Sequence, residues 1–377
     1  MPIPPLRLAR LLLAGGIPLL GAGCAAYRTY WGDVHGHTAL SDGQGTVAEY
    51  LARARDEAEL DFAIVTDHDF GNAPPWRRTP EEWQRTQETV DELTVDGEFI
   101  AIAGYEWTSQ PKYWAGFADP TQSERLFAGA PFFYNHKNVY FPRRVPALFS
   151  AKDEAYRSPD LLAAAVAPEG GLAHNCHPSA GPDGRDQFAY GAASARIIAN
   201  SEMAPDVLRY EGKTYEVGVE TTLREFLAGG GRTGFVGGSD THEGRPAART
   251  AVLARELTRE AILDALRHRR CYAATNARIR LGFAIDGQPM GAEVAIRGTP
   301  RISVRVHGTC RLAEVVVVRN GAPLRVFHPA GDSLVADFAD DSFPGEAYYY
   351  LRVIQADADA EGNPSHAWSS PIWVRRP

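Results

Sequence analysis

Two histidines one residue apart, His35 and His37, are followed by Asp42 in a Ser-Asp-Gly turn. Imidazole and carboxylate together are ligand types for zinc, manganese or iron. Along an extended segment alternate side chains face the same way, so both rings can be aimed at one ion. Gly36 between them leaves room for close approach. Residues of the same kind recur down the chain: Asp67 and His68 after one apolar run, Glu106 after another, His136 in Asn135-His136-Lys137-Asn138, His174 and His177 on either side of Cys176, and Asp240 with His242. The chain holds 11 histidines, and those before residue 243 stand mostly at expected strand ends. His268, His307, His328 and His366 fall on a helix or among C-terminal strands and are read as surface or core residues. With Asp42, Glu106 and Asp240 there are too many ligands for one ion, and two or three divalent ions are expected. Buried carboxylates without cations would cost several kcal/mol each. Sites of this kind generate a nucleophilic hydroxide at neutral pH and clamp the attacking and leaving oxygens of a displacement.

These residues must be held by a scaffold, and the surrounding text supplies one. Thr46-Val47-Ala48-Glu49 is a capping box at a helix start. Asp61–Thr66 is an apolar run suited to a buried parallel strand. A strand over Glu98–Tyr105 delivers Glu106, and a helix capped by Ser158 with Pro159 at its first position runs to Val166. A short strand at Gly171–Ala173 delivers His174, a helix covers Thr222–Leu227, and a strand over Thr233–Ser239 delivers Asp240. A helix over Glu256–Arg270 closes this part. Alternating strands and helices with polar residues at several C-terminal strand ends predict an α/β fold, a barrel of the β/α type, over 27–275. An aromatic-rich stretch at about 110–155 has no clear period. It reads as a loop over the site or a packed insertion at the barrel edge. From about 276 to 377 the pattern becomes period two, with Asn320-Gly321 as a hairpin signal, and predicts a small all-β sandwich.

The chain has 377 residues and a net charge of −8, with no long basic run, so a nucleic-acid partner is not expected. Residues 1–24 have a charged start (Arg7, Arg10), a short apolar run and small residues before Cys24. That is the layout of a secretory leader, and the small residues before the cysteine resemble a bacterial lipoprotein cleavage site with Cys24 as the acylated residue. An exported protein, periplasmic or an outer-membrane lipoprotein, touching a membrane through that anchor alone, is the expectation. Cys176, Cys271 and Cys310 are too few and too widely spaced for a disulfide framework and read as buried small apolar residues.

Taken in order, Gly-Asp-Val-His35-Gly-His37-Thr-Ala-Leu-Ser-Asp42-Gly, Thr-Asp67-His68, Gly-Tyr-Glu106-Trp, Ala-His174 and Gly-Ser-Asp240-Thr-His242 resemble the motifs of the PHP superfamily of metal-dependent phosphoesterases, and within it the DUF3604 branch. Asn135–Asn138, Arg269–Thr275 and the ending Trp368-Ser369-Ser370-Pro371-Ile372-Trp373 extend the resemblance, which runs from about Tyr30 to the end. It implies a distorted (β/α)7-type barrel with a trinuclear site. His35, His37, Glu106 and Asp240 would bind one ion. Glu106 would bridge to a second held by His136 and His174, and Asp42, His68 and His242 would hold a third. Glu106, Asp240 and His242 are the residues it places closest to the reaction. Asp67 either orients a neighbouring ligand or caps its strand, His177 is an additional residue of the pocket, and Lys137 and Arg245 are either phosphate contacts or surface charges.

The expected activity is hydrolysis of a phosphomonoester or phosphodiester of a small molecule or glycan. The same metal site serves other esters or amides, because a barrel does not fix its substrate. A non-catalytic envelope lipoprotein that binds carbohydrate is the contrasting expectation. Structural zinc sites, however, are usually closed, four-ligand sets built mainly from cysteine.

Overall fold

The computed structural model describes residues 27–70, 78–109, 134–179 and 186–377. Strands are numbered in chain order. β1 (Arg28–Asp33), β2 (Phe62–Val65) and β3 (Ile100–Ser109) run parallel to one another. β4 (Asn135–Tyr140) is antiparallel to β3 and to β5 (Leu172–Asn175). β6 (Ile198–Glu202) and β9 (Gly234–Val236) continue parallel to β5. Between them β7 (Val207–Tyr210) and β8 (Lys213–Glu216) form a separate two-stranded hairpin.

All four residues of β2 are buried, as a strand covered on both faces requires. Its apolar side chains divide between two cores: Ala63 and Val65 join Tyr50, Leu51 and Trp83, whereas Phe62 and Ile64 join Val34, Ile100 and Tyr140. The helix at Val47–Asp56 starts at the expected capping box, with Thr46 accepting from Glu49 N and Glu49 accepting from Thr46 N. Ser158 caps the helix at Pro159–Val166 by accepting from Leu161 N, without a reciprocal partner. Each cap is worth about 1 kcal/mol.

The α/β class holds, but two features depart from a regular β/α barrel. Two of the strand pairs are antiparallel, and β1 and β9 share no ladder. Their C-terminal extensions meet instead. Gly36 bridges Thr241, Asp240 N donates to His35 O at 3.0 Å, and His37 N donates to Thr241 O at 2.9 Å. The rim that carries the candidate ligands is therefore stitched where the sheet itself is not.

β4 falls inside the stretch expected to be a loop or an insertion. All six of its residues are buried, and its ladder with β3 carries β3 on to Ser109, past the predicted end at Tyr105. Glu106 thus sits within a strand and not after it. Residues 110–133 of that stretch, with Tyr113, Trp114, Phe117, Phe132 and Phe133, lie outside the described residues, as does the leader with Cys24.

Beyond β1 the large sheet continues through β10 (Thr250–Ala254) and β11 (Cys271–Ala274). From β11 it passes without a break to the C-terminal strands β20 (Pro364–Ser369), β19 (Glu346–Ala358) and β21 (Ile372–Arg375). A second sheet contains β12 (Arg280–Ile285), β15 (Arg301–His307) and β18 (Ser333–Ala339). One core fills the space between, joining Trp31, Leu253 and Tyr272 to Phe283, Val304, Val315 and Tyr349. The two parts of the chain therefore share both hydrogen bonds and a core. Asn320 and Gly321 both take positive φ, 50° and 78°, in the tight turn expected between β16 (Leu312–Arg319) and β17 (Ala322–Phe327). Cys176 and Cys271 are buried free thiols as expected, and Cys310 is partly exposed.

In β20, His366 stacks on Trp368, and its Nδ1 has no hydrogen-bond partner among the described residues. Burial, with Arg352 nearby, pushes its pKa down from 6.5 to about 4. Between those values the unfolded chain takes up a proton that the native state refuses, so stability falls as pH drops through this window. His366→Gln is expected to lose about 2 kcal/mol less than the parent between pH 7 and pH 4. Urea unfolding of both proteins at several pH values measures that difference.

Candidate metal centre

Glu106 lies at the centre of the cluster. Alternation along β3 turns Tyr105 and Trp107 outward into the core and Glu106 and Thr108 inward. Glu106 is 1% exposed, and five imidazoles surround its carboxylate. His136 Nδ1 lies 2.7 Å from Oε1 and His68 Nδ1 2.9 Å from Oε2. His37 Nε2 lies 3.4 Å from Oε2, while His177 Nε2 and His35 Nε2 lie 3.4 and 3.5 Å from Oε1. Asp240 Oδ1 is 3.1 Å from His37 Nε2 and 3.3 Å from His35 Nε2. Asp42 Oδ2 is 3.3 Å from His242 Nε2 and 3.5 Å from His68 Nε2. Ligand-type atoms thus fall into overlapping groups within 4.8 Å: His35, His37 and Glu106; His68, Glu106 and His136; His37, Asp42, His68 and His242; and, on the far side of His35, His35, His174, Cys176 and Glu202.

The electrostatics favour cations. Burial drives the pKa of His37 down and that of His136 to about 4, leaving neutral rings able to ligate. At His68 burial is outweighed by Glu106 and Asp42, which raise its pKa to about 10. At His242 the hydrogen bond with Asp42 raises it to about 9. Burial would raise the carboxylates, but the surrounding rings hold Asp240 down at about 2 and Glu106 well below its ordinary value. Protons on these rings balance the buried negative charge, a task that divalent ions can take over. The donor set is imidazole and carboxylate, converging on one buried carboxylate, and it fits zinc, manganese or iron.

The structure brings together His35, His37, Asp42, His68, Glu106, His136, Asp240 and His242 as expected, and changes the place of two histidines. His174, expected beside His136, points from β5 to Glu202 Oε1 at 3.3 Å and to Asn138 Nδ2 at 3.3 Å. His177, expected to be an accessory pocket residue, stands against Glu106, with its ring 4.9 Å from that of His136. The chain turns between them, and His177 takes φ of 29°, which returns its ring to the cluster.

Lys137 is corrected as a phosphate contact. It faces away from His136 on β4 and is fully buried, and its Nζ donates to Tyr134 O at 2.7 Å and Gln187 O at 3.0 Å. Burial lowers its pKa to about 7. Arg245 is exposed on the loop after His242. Asp67 accepts from Thr38 N, Thr38 Oγ1 and Ser41 Oγ at 2.7 to 2.9 Å. Its side chain therefore fastens the loop that follows His37, while its backbone oxygen accepts from Glu106 N at 3.0 Å.

Two carboxylates escaped the sequence reading. Asp33 accepts from the backbone amides of His35, Ser239 and Ala247, tying the His-Gly-His segment to the loop of Asp240. Glu202, at the end of β6, binds His35 Nδ1 at 2.8 Å through Oε1 and accepts from His177 N at 2.6 Å through Oε2. The available signal was position: Glu202 ends a short run, Ile197-Ile198-Ala199-Asn200-Ser201, just as Asp67 ends another. Two glycines make room. A Cβ on Gly36 would overlap the Tyr50 ring, and one on Gly238 would overlap both Glu202 and His35.

No family model matches the chain. Uncharacterized proteins of Chlamydia trachomatis and Chlamydia muridarum are each 27% identical to it over 379 residues, covering 91% of this chain and 57% of theirs. One from Chlamydia pneumoniae is 26% identical over 377 residues with the same coverage. The chain thus spans little more than half the length of these curated relatives. A solved two-domain protein from Bacteroides vulgatus, described as containing a predicted PHP-like metal-dependent phosphoesterase, aligns with 90% of this chain and 95% of its own. The TM-score is 0.47 and the identity 14%.

Proposed function

We propose that the chain is a metal-dependent hydrolase, and specifically a phosphoesterase acting on a small-molecule or glycan phosphate ester. The observation that carries this reading is Glu106, a buried carboxylate with nitrogen atoms of five histidines within 3.5 Å. In this reading His35, His37, Glu106 and Asp240 hold one ion, and Glu106 is shared with a second held by His136 and His177. Asp42, His68 and His242 hold a third. Bound ions would supply Lewis acidity toward a phosphoryl oxygen and a water that is nucleophilic at neutral pH.

The protein's own residues do the rest. Asp33, Asp67 and Glu202 fix the ligand-bearing loops and one ring from behind. Asp42, Asp240 and His242 have side chains about 40% exposed, 39%, 42% and 39%. They form the open side of the cluster, where a phosphate ester can approach. The reading extends the fold description to a distorted seven-strand barrel closed at its rim, and the location to an exported protein anchored through Cys24. No nucleic-acid partner is proposed, in keeping with the net charge of −8.

Elemental analysis of the purified full chain, paired with hydrolysis of an aryl phosphate monoester and diester, tests this. Two or three ions per chain and activity abolished by a chelator are expected. Bound ions with no phosphate-ester hydrolysis would move the assignment to another ester or amide. One ion or none after growth in ample metal would overturn the multinuclear site.

A further inference from the structure

A cleft of about 770 Å³ opens directly beside the cluster, with His177, Glu202, Gly238 and Asp240 among its lining residues. A separate depression of about 530 Å³ near Trp373 includes none of the clustered residues. Any group attached to a phosphoryl held at Asp240 and His177 has the larger cleft as its neighbouring space.

The cleft's character is set by β6 and the hairpin of β7 and β8. Met203, Val207, Leu208, Val217 and Val219 supply apolar wall. The hairpin is held at Arg209 and Gly212 by hydrogen bonds to Asn363, Gly362 and Glu361, yet its apolar side chains stay in solvent: Val207 is 48% exposed, and Tyr210 and Tyr215 are 60% and 42% exposed. These are three of seven exposed large hydrophobics among the described residues, gathered on one short ribbon beside the candidate site. Isolated exposed apolar residues need no explanation, whereas apolar residues that line a cleft mark a binding surface, and of these three Val207 is the one in the lining.

Charge narrows the choice. The charged residues lining the cleft are Glu202, Asp206, Glu216 and Asp240, all acidic among the described residues. Asp206 is engaged by Thr221 N and Oγ1, and Glu202 by His35 and the amide of His177. The arginine of the hairpin, Arg209, is directed away to Gly362 O. A second anionic group on the substrate would meet these carboxylates, the one basic side chain of the described lining being His177, which is already engaged with Glu106, while an uncharged apolar group would lose water against Met203, Val207 and Leu208.

We propose that this cleft receives the leaving group of the substrate, and that the leaving group is an uncharged, largely apolar alcohol, aryl or alkyl, without a second phosphate or carboxylate. This rests on the phosphoesterase reading and adds the substrate class to it. In the hydrolysis a water oxygen bonds to phosphorus, the bond from phosphorus to the ester oxygen breaks, and a proton from that water ends on the released alcohol.

The test compares phenyl phosphate with 4-carboxyphenyl phosphate on the metal-loaded full chain. The two phenols are of similar basicity, and the carboxylate ester has the slightly better leaving group, so intrinsic reactivity does not favour the expected result. kcat/KM is expected to be at least about tenfold higher for phenyl phosphate. Val207→Lys, a change at a half-exposed position, is expected to bring the two esters within about threefold of each other. Equal or faster turnover of the carboxylate ester by the parent, or an unchanged ratio in a folded Val207→Lys variant, would overturn the proposal. If neither ester is hydrolysed while metal is bound, the phosphoesterase reading itself fails and the proposal falls with it, a result distinct from the first two.

Discussion

Glu106→Gln is expected to reduce bound metal to one ion per chain or fewer and to cut phosphate-ester hydrolysis by at least about a thousandfold, the scale of several kcal/mol that metal ions contribute at such centres. Glutamine preserves the shape of the side chain and its place in β3, so the effect isolates the charge. In the parent the carboxylate faces His136 and His68 at 2.7 and 2.9 Å and three further rings at 3.4 to 3.5 Å. It has two oxygens to share between neighbouring ions. An amide offers one oxygen and turns an NH₂ donor toward the other ring nitrogens, where it competes with a cation. Metal analysis and kcat at saturating metal, with circular dichroism to confirm the fold, measure the outcome. Retention of two or more ions with undiminished turnover would remove Glu106 from the centre of the account.

How far these residues could be read from the chain depends on whether local sequence or tertiary contact decides them. Asp67-His68 and Asp240-Thr241-His242 follow apolar runs whose burial makes them strands, so their placement was legible, whereas His35-Gly36-His37 follows the mixed sequence Arg-Thr-Tyr-Trp-Gly-Asp and was legible from its own ligand spacing. The capping box at Thr46 and the Asn320-Gly321 turn are local signals with local causes, and both form. β4 was not legible. Its residues Asn135, His136, Lys137 and Asn138 are polar because one face serves the cluster and the other satisfies backbone carbonyls through Lys137, so no alternation of apolar and polar residues appears. β6 was missed for a related reason, since it is short and ends in Asn200, Ser201 and Glu202, whose side chains are hydrogen-bonded to Leu266 O, Thr233 Oγ1 and His177 N. The choice between His174 and His177 turns on the backbone at 177, where positive φ redirects the ring toward Glu106. Three residues of spacing do not encode that turn. Lys137 shows the opposite limit: a cation next to a ligand in sequence faces away from it because neighbours on a strand point to opposite sides.

Glu202→Gln is expected to weaken metal binding by about 10- to 100-fold, in the range found for carboxylates that orient a ligating histidine. The carboxylate accepts at both oxygens. Oε1 lies 2.8 Å from His35 Nδ1 and accepts its proton, so that Nε2, facing Glu106 and Asp240, is the nitrogen a bound ion would take in place of a proton, and Oε2 takes the amide of His177 at 2.6 Å. One side chain therefore sets the tautomer of a ligand of one proposed ion and the backbone position of a ligand of the next. Glutamine has a single acceptor. Its NH₂ must oppose either the His177 amide, leaving two donors face to face, or His35 Nδ1, forcing the proton onto Nε2, where it blocks ligation. Either arrangement costs about 1–3 kcal/mol, comparable with the expected loss of affinity. Because both oxygens of Glu202 are taken up by His35 and the His177 amide, turnover is expected to recover when metal is raised to saturation, which separates this variant from Glu106→Gln. The comparison is a titration of metal against a competing chelator, followed by kcat at saturating metal. Unchanged affinity would show that the tautomer of His35 is held by something other than Glu202. A loss of kcat that saturating metal does not restore would place Glu202 in contact with the reacting groups.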